Sequence, residues 1–377
     1  MDLVTIHDTV TGARLDVLPV SGWSWRREVS AAGSLEVTVP WTAGLEGRSL
    51  RGELAPWRTT LAVTDTVSRR VVAAGIVYAR RWDADTQTLT LSCEDLWGLL
   101  KRRLVLDPIL DVYSGGQVAA RDKAYPAPWM VTMRGTLASI ARDLVELAVK
   151  AGPVPVVLPA RQSGDAVRTY AGPDLATVAS RLEELTQVID GPEVLFDPRL
   201  EEGGTGLSWH MLTGSPELVG ATHRLDARRR AVPLVDLSVD EDASDMVGDS
   251  WARGESADDL TLMAHVHDPW LEGRGWPLLQ SADTSHSSVS ALSTLTAWAR
   301  TPTLMRARSA EVVSLRLRRT DEAGYALGDA VMPGDHVRLR HDDPYLGAGV
   351  IGLKVLEVSG DEGEWVSLSC RELMEVD

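Results

Sequence analysis

Through residues 1 to 96, hydrophobic and polar positions alternate in short runs separated by turn residues. Leu3-Val-Thr-Ile6 and Leu15-Asp-Val-Leu18 read as strands with a Thr11-Gly12 turn between them. Ser34-Leu-Glu-Val-Thr-Val39 alternates at period two and stops at Pro40. Thr60 to Val63, Arg70 to Arg81 and Thr86 to Cys93 follow, the last two joined by the polar connection Trp82-Asp-Ala-Asp85. Short strands at regular spacing predict a small antiparallel barrel or sandwich.

At Asp95 the period lengthens. Asp95 can cap a helix with Leu96, Leu99, Leu100 and Leu104 on one side, stopped by Pro108. A Gly/Pro stretch, Gly115 to Pro128, is irregular. Thr136 can cap a helix carrying Leu137, Ile140, Leu144 and Leu147, ended by Gly152-Pro153. Asp174 can cap another with Leu175, Val178, Leu182 and Leu185, ended by Gly191-Pro192. Short strands fit Pro155–Leu158 and Val167–Tyr170.

Strand patterning resumes at Glu193–Asp197 and Leu207–Leu212, with Glu201-Glu-Gly-Gly204 as the hairpin turn. Leu234–Val239, Met246–Gly254, Leu260–His267 and residues 311 to 319 continue it. Between the last two, a helix from about Ser287 to Arg300 sets Val289, Leu292, Leu295 and Trp298 three apart and ends at Thr301-Pro302.

One stretch is stated twice. Leu89-Thr-Leu-Ser-Cys-Glu-Asp-Leu96 returns as Val366-Ser-Leu-Ser-Cys-Arg-Glu-Leu373, and these octads hold both cysteines of the chain. Upstream, Thr60–Val63 parallels His336–Leu339, and Ala74-Gly-Ile-Val-Tyr78 parallels Ala348-Gly-Val-Ile351. Val63 lies 30 residues before Cys93 and Leu339 lies 31 before Cys370. Matches at nearly equal spacing indicate a duplicated structural unit. Cysteines at equivalent places in two copies sit too far apart to bridge, so both are expected as buried free thiols.

The expected architecture is mainly β with α+β insertions: two tandem antiparallel β-barrels, a mixed α/β insertion between them and a small helical insertion in the second. The boundaries are 1–104 for the first barrel, 105–230 for the α/β insertion, 231–273 with 309–377 for the second barrel, and 274–308 for the helical insertion. At 377 residues the chain exceeds one ordinary core.

Charge narrows the function classes. A formal net charge of −16 argues against nucleic-acid binding as the main task; the short basic runs Lys101–Arg103 and Arg228–Arg230 read as solvated edges. No apolar run is long enough to cross a membrane, and the N-terminal residues lack the pattern of a secretory signal. The 13 Trp against a single Phe, Phe196, fit either glycan stacking and interface anchoring or simple core filling.

The candidate chemistry is thin. Asp240-Glu-Asp242 with Asp245 lacks the alternation and distal Glu of a calcium loop. His265-Val-His267 sets two imidazoles on one strand face without an evident third ligand beyond Asp268. Asp283-Thr-Ser-His-Ser-Ser288 has the residue types of a hydrolase triad, but triad members come from separate elements, and Ser285 or Ser287 serves better as a helix cap. Gly203-Gly-Thr-Gly206 is a hairpin turn rather than a phosphate loop. No catalytic, cofactor-binding or metal residues are assigned, and no cofactor is expected.

Several stretches taken in order resemble the minor tail proteins of long-tailed (siphovirus) phages of actinobacteria, of the tail-tip or baseplate hub type. They are Gly22-Trp-Ser-Trp-Arg26, Asp95–Arg103, Gly191–Arg199, Leu237–Ser244 with Trp251-Ala252, and Asp283–Val289. The resemblance implies a homotrimer in which each subunit gives two tail-tube-like barrels, so that six barrels form a pseudo-sixfold ring joining a sixfold tube to a threefold tip. It implies a distal tail ring protein, a tape-measure protein and tail fibre or spike proteins as partners. DNA would cross the channel without specific binding, and nothing would insert in a membrane. The implied location is the virion tail tip, assembled in the host cytoplasm. Many such hubs carry a C-terminal lytic or receptor-binding module; here the chain stops four residues after the second octad, leaving no room for one. Rival readings are a receptor- or glycan-binding tail protein, a cell-wall hydrolase, and a hexameric distal ring protein with one barrel per chain.

Overall fold

The computed structural model describes residues 2–41, 45, 47–107, 129–188, 190–228, 234–257, 259–285, 289, 291–321 and 326–373. The chain divides into two compact units, residues 1–237 with 315–377, and residues 238–314. The structure is mainly β, with a large, predominantly antiparallel sheet and a few helices. The Gly/Pro stretch at 115–128 and Ser287 lie outside the described residues.

The first ninety-odd residues supply β1 (Asp2–Asp8), β2 (Arg14–Val17), β3 (Gly22–Glu28), β4 (Ser34–Pro40), a short helix α1 (Leu50–Glu53), β5 (Thr59–Asp65), β6 (Val71–Asp83) and β7 (Thr88–Glu94). The alternation buries Leu35, Val37 and Val39 of β4, and Leu89, Leu91 and Cys93 of β7. The last three strands form an antiparallel meander, and β4 pairs with β7 on its other side. β3 is a strand that the sequence reading left out.

Asp95 then caps α2 (Leu96–Leu100): its carboxylate accepts from the Trp97 N–H at 2.9 Å. Next come β8 (Met130–Gly135), α3 (Leu137–Ala151), β9 (Val156–Val157), β10 (Ala166–Ala171), α4 (Val178–Thr186), β11 (Glu193–Leu200), β12 (Leu207–Gly214) and β13 (Thr222–Asp226). Thr136 caps α3, accepting from Ser139 N–H, and Gly152 closes it. The cap of α4 is Thr177, not Asp174. Gly172-Pro173-Asp174 forms a 3-10 turn, and Leu175 then takes a left-handed φ of 48°, so the helix starts only beyond it. Leu175 is consequently exposed. β11 and β12 make the expected hairpin. The helices bury Trp97, Ile140, Leu144 and Leu182 in a core shared with Phe196 and Trp209 of the hairpin, and Trp97 meets Phe196 edge to face at 5.9 Å.

The chain leaves this unit through β14 (Leu234–Asp242) and returns through β18 (Ala310–Arg318), which is followed by β19 (His336–Asp343), β20 (Gly347–Asp361) and β21 (Trp365–Glu372). The large sheet runs β14-β18-β21-β20-β3-β4-β7-β6-β5-β1-β2, with β19 on β20 and β13 on β19. Apart from those at 249–267, the strands assigned by sequence to two barrels thus lie in one sheet, joined where β3 meets β20.

In the second unit, β15 (Asp249–Ala257) pairs with β16 (Leu260–His267) and with β17 (Gln280–Asp283) in a sheet of their own. Period-two patterning identifies a strand but not its partner, so 249–267 read from sequence as part of the second barrel. Helix α5 (Leu292–Met305) buries Leu295, Ala299 and Thr303, four apart, while Leu292 and Trp298 are exposed. Its inner face thus follows a spacing of four residues rather than three. Pro302 lies inside the helix instead of ending it, because that inner face continues to Thr303. The helix begins at Leu292 after Ala291, which gives no side-chain cap, so Ser285 does not cap it. Ser285 instead donates to Asp283 in a local turn.

Candidate assembly surface

The repeated octads are the closing strands of two matched meanders, β5-β6-β7 and β19-β20-β21. Cys93 faces Val77 as Cys370 faces Val355, and Ser92 faces Ala79 as Ser369 faces Glu357. Both middle strands skip one residue at the same place, Tyr78 in β6 and Leu356 in β20. On the other side, Thr60 faces Ile76 as His336 faces Lys354, and Val63 faces Ala73 as Leu339 faces Ile351. The duplication is therefore reproduced residue by residue through three strands. One echo fails: Ala74-Gly75 occupies the register of Gly352-Leu353, not of Ala348-Gly349. The β19–β20 hairpin runs on to Asp343 and Gly347, and Ala348-Gly349 belong to that extension.

Both cysteines are buried and free, as expected. Burial pushes the Cys370 thiol up to about 12 and that of Cys93 higher still, which makes both unreactive apolar fillers. The first copy packs tightly at this point: a Cβ on Gly75 would lie 2.6 Å from that of Cys93.

Beyond its bulge, β20 changes neighbours. Residues Glu357–Asp361 leave β19 behind and pair with Glu28–Ser24 of β3, and Val29 N–H donates to Leu356 C=O just before. Arg26 donates to Glu357 at 3.4 Å, and Trp23 N–H donates to Glu362 at 3.1 Å. Trp25 lies opposite Gly360, where an added Cβ would meet its indole nitrogen at 3.2 Å. Arg319 covers Trp23 and holds Asp2 at 2.6 Å and Asp329 at 2.8 Å. Nearby, the wholly buried Lys354 donates to Glu193 at 2.6 Å and Glu217 at 2.9 Å. Burial pushes the Glu217 carboxyl up, but Lys354 and Arg371 outweigh it and hold that group below the ordinary glutamate range. The contacts of β3, Asp2 and Arg319 fasten the two repeats to each other, and Lys354 ties the second repeat to the segment that holds β11 and β12.

The equivalent half of β6, Ala79–Asp83, pairs with β7 on one side. On the other side, Trp57 N–H donates to Val77 C=O, and past that point no described strand pairs with it. Half-exposed Trp82 and Trp41 meet edge to face at 6.1 Å beside this edge. At the far end of the sheet, β14 has a single neighbour among the described strands.

Asp240, Glu241 and Asp242 close β14 and are exposed. His265 and His267 both turn to Asp249, at 2.7 and 3.2 Å, while Trp251 and Gln280 donate to its other oxygen. Burial raises the Asp249 carboxyl, and the imidazoles and Gln280 overcome that and lower it. His265 also stacks on Trp251 at 4.1 Å. Among the described residues no group of three or more His, Cys, Asp and Glu could hold a metal ion. Gly203 and Gly204 take positive φ in the β11–β12 turn. Four tryptophans, Trp23, Trp25, Trp97 and Trp209, fill cores, while Trp41, Trp82, Trp251, Trp276 and Trp298 are at least 40% exposed, so core filling accounts for some of the tryptophans and not for others.

No family model matches the chain, and no curated protein matches it. Solved structures do share its fold. The 43 kDa tail protein of prophage MuSo2 from Shewanella oneidensis aligns with a TM-score of 0.57 over 98% of both chains at 13% identity. A tail protein from Neisseria meningitidis MC58 gives 0.53 over 98% of this chain and 96% of that one at 15% identity. Prophage tail protein gp18 from Listeria monocytogenes EGD-e gives 0.50 over 100% and 95% at 10% identity. At such identities the likeness is one of fold, and it extends over essentially the whole length of each.

Proposed function

We propose that this chain is a structural phage tail protein, the homotrimeric hub of the tail tip or baseplate. The observation that carries the reading is the register-matched duplication, β5-β6-β7 with β19-β20-β21, including the shared bulge. A chain holding two equivalent β units can place six of them around an axis with three copies, which is what matching a sixfold tube to a threefold tip requires. In this reading each meander forms the wall of one tube-like barrel, and the second unit is an insertion in the second barrel. The full-length likeness to three tail proteins supports this class over a hydrolase.

The work is geometric rather than catalytic. The ring would join a distal tail ring protein to fibre or spike proteins and leave a channel filled by the tape-measure protein before DNA crosses. The net charge of −16 suits passage, since an acidic wall repels phosphates; a lumen lined with Lys and Arg would count against it. Cryo-electron microscopy of assembled tails tests the reading. Three copies in the ring are expected, and six copies would overturn it.

A further inference from the structure

We infer that the open edge of β6, Ala79–Asp83, is completed by strand β14 of a second copy of this chain. The inference rests on the ring reading above and names the contact that would build the ring.

The repeat supplies the argument. In the second meander, the five residues after the bulge, Glu357–Asp361, are covered by β3. In the first meander, the five residues after the equivalent bulge lack a described strand partner on that side. β3 reaches its own meander through β4 and β7; β14 reaches its own through β18 and β21. β14 therefore holds in the second repeat the place that β3 holds in the first, and no described strand covers its outer edge. If β3 on β20 is the joint within a chain, β14 on β6 is the same joint between chains. The two edges differ, so the contact is head-to-tail and propagates round an axis until it closes. Added strands of this kind bind mainly through main-chain hydrogen bonds.

Chemistry agrees with the pairing. Within the chain, β3 brings Arg26 to Glu357 of β20, while its Arg27 turns to Asp197. At the open edge the signs are exchanged. The β6 segment carries Arg81, Arg80, which donates to the Arg51 carbonyl, and Asp83 at its end, while β14 carries Asp240, Glu241 and Asp242 beside Asp236, which meets Arg316. Bulk is exchanged too. Trp25 of β3 covers Gly360 of β20; at the matching place in β6 stands Trp82, and β14 has no aromatic residue.

Hydrogen exchange on the full chain, as monomer and in assembled tails, tests this. Val29 donates to Leu356 C=O, so alternation beyond the bulge directs the backbone groups of Val358 and Gly360 to β3, and those of Arg80 and Trp82 to the open edge. The amides of Arg80 and Trp82 should exchange at least about tenfold more slowly in the ring than in the monomer. Trp82→Pro removes an edge donor without taking a bond from the β6–β7 ladder and should weaken assembly at least about tenfold, whereas Trp82→Phe should assemble. Higher salt should loosen the contact, because it pairs opposite charges at a surface. A three-copy ring whose β6 amides exchange as in the monomer would overturn the strand contact and leave the hub standing. A six-copy ring with those amides protected would overturn the hub and leave the contact standing. If Trp82→Pro does not fold, the exchange measurement on the unaltered chain decides alone.

Discussion

At the scale of single residues, two buried groups carry unusual weight. Lys354 is fully enclosed, and its ammonium is met by Glu193 and Glu217. Removing one partner of a buried pair leaves the other charge uncompensated. Lys354→Ala should therefore destabilise the fold by about 3 kcal/mol, and Lys354→Met by less because it keeps the packing; urea unfolding would show the order. Asp95 is the other. Burial pushes its carboxyl up to about 7, against the pull of the Gly33 and Trp97 N–H groups and of Arg27. A folded value above the unfolded value of about 4 means the group binds its proton more tightly in the native state. Its contribution is then fully present below about pH 4, declines as pH rises, and is lost above about pH 7. Asp95→Asn should lower stability at acid pH and flatten this slope. A difference in Tm between the two proteins that stayed constant from pH 4 to 8 would contradict the assignment.

At the scale of elements, most strands and the capped helices were legible because their patterns are local. Asp95 and Thr136 precede apolar stripes and do cap them. Leu260–His267 alternates and is a strand over that same range. The failures have physical causes. Asp174 has the right residue type for a cap, but Pro173 and the left-handed Leu175 postpone the helix, and only backbone geometry reveals that Thr177 takes over. β3 was visible as a motif, Gly-Trp-Ser-Trp-Arg, but not as a strand. Yet its tryptophans are buried and its serine and arginine lie outside, the period-two signal that marks a half-buried strand. Missing it hid the joint between the repeats. The open edge of β6 was invisible for another reason: a sequence repeat tells which segments correspond, not which of two corresponding edges has been given a partner.

At the scale of the molecule, the repeat divides the labour. The matched meanders and both strands of the inferred contact belong to the large sheet, and past the end of β14 the unit at 238–314 has its own small core of Ala252, Ala264, Leu295 and Ala299. If ring building resides in the sheet, most of that unit is dispensable for it. The chain offers a clean place to cut. Glu241 meets Ser309 and Asp236 meets Arg316, the spacing of antiparallel neighbours, so β14 and β18 can be closed by a short turn. Replacing residues 243–309 with Asn-Gly, a turn suited to a two-residue hairpin, should leave a protein that still unfolds in one cooperative transition. Built into tails, it should still give three copies per ring, because β14 and the β6 edge are both retained. A shortened chain that folds but no longer assembles would move the ring contact out of the sheet and into the excised unit.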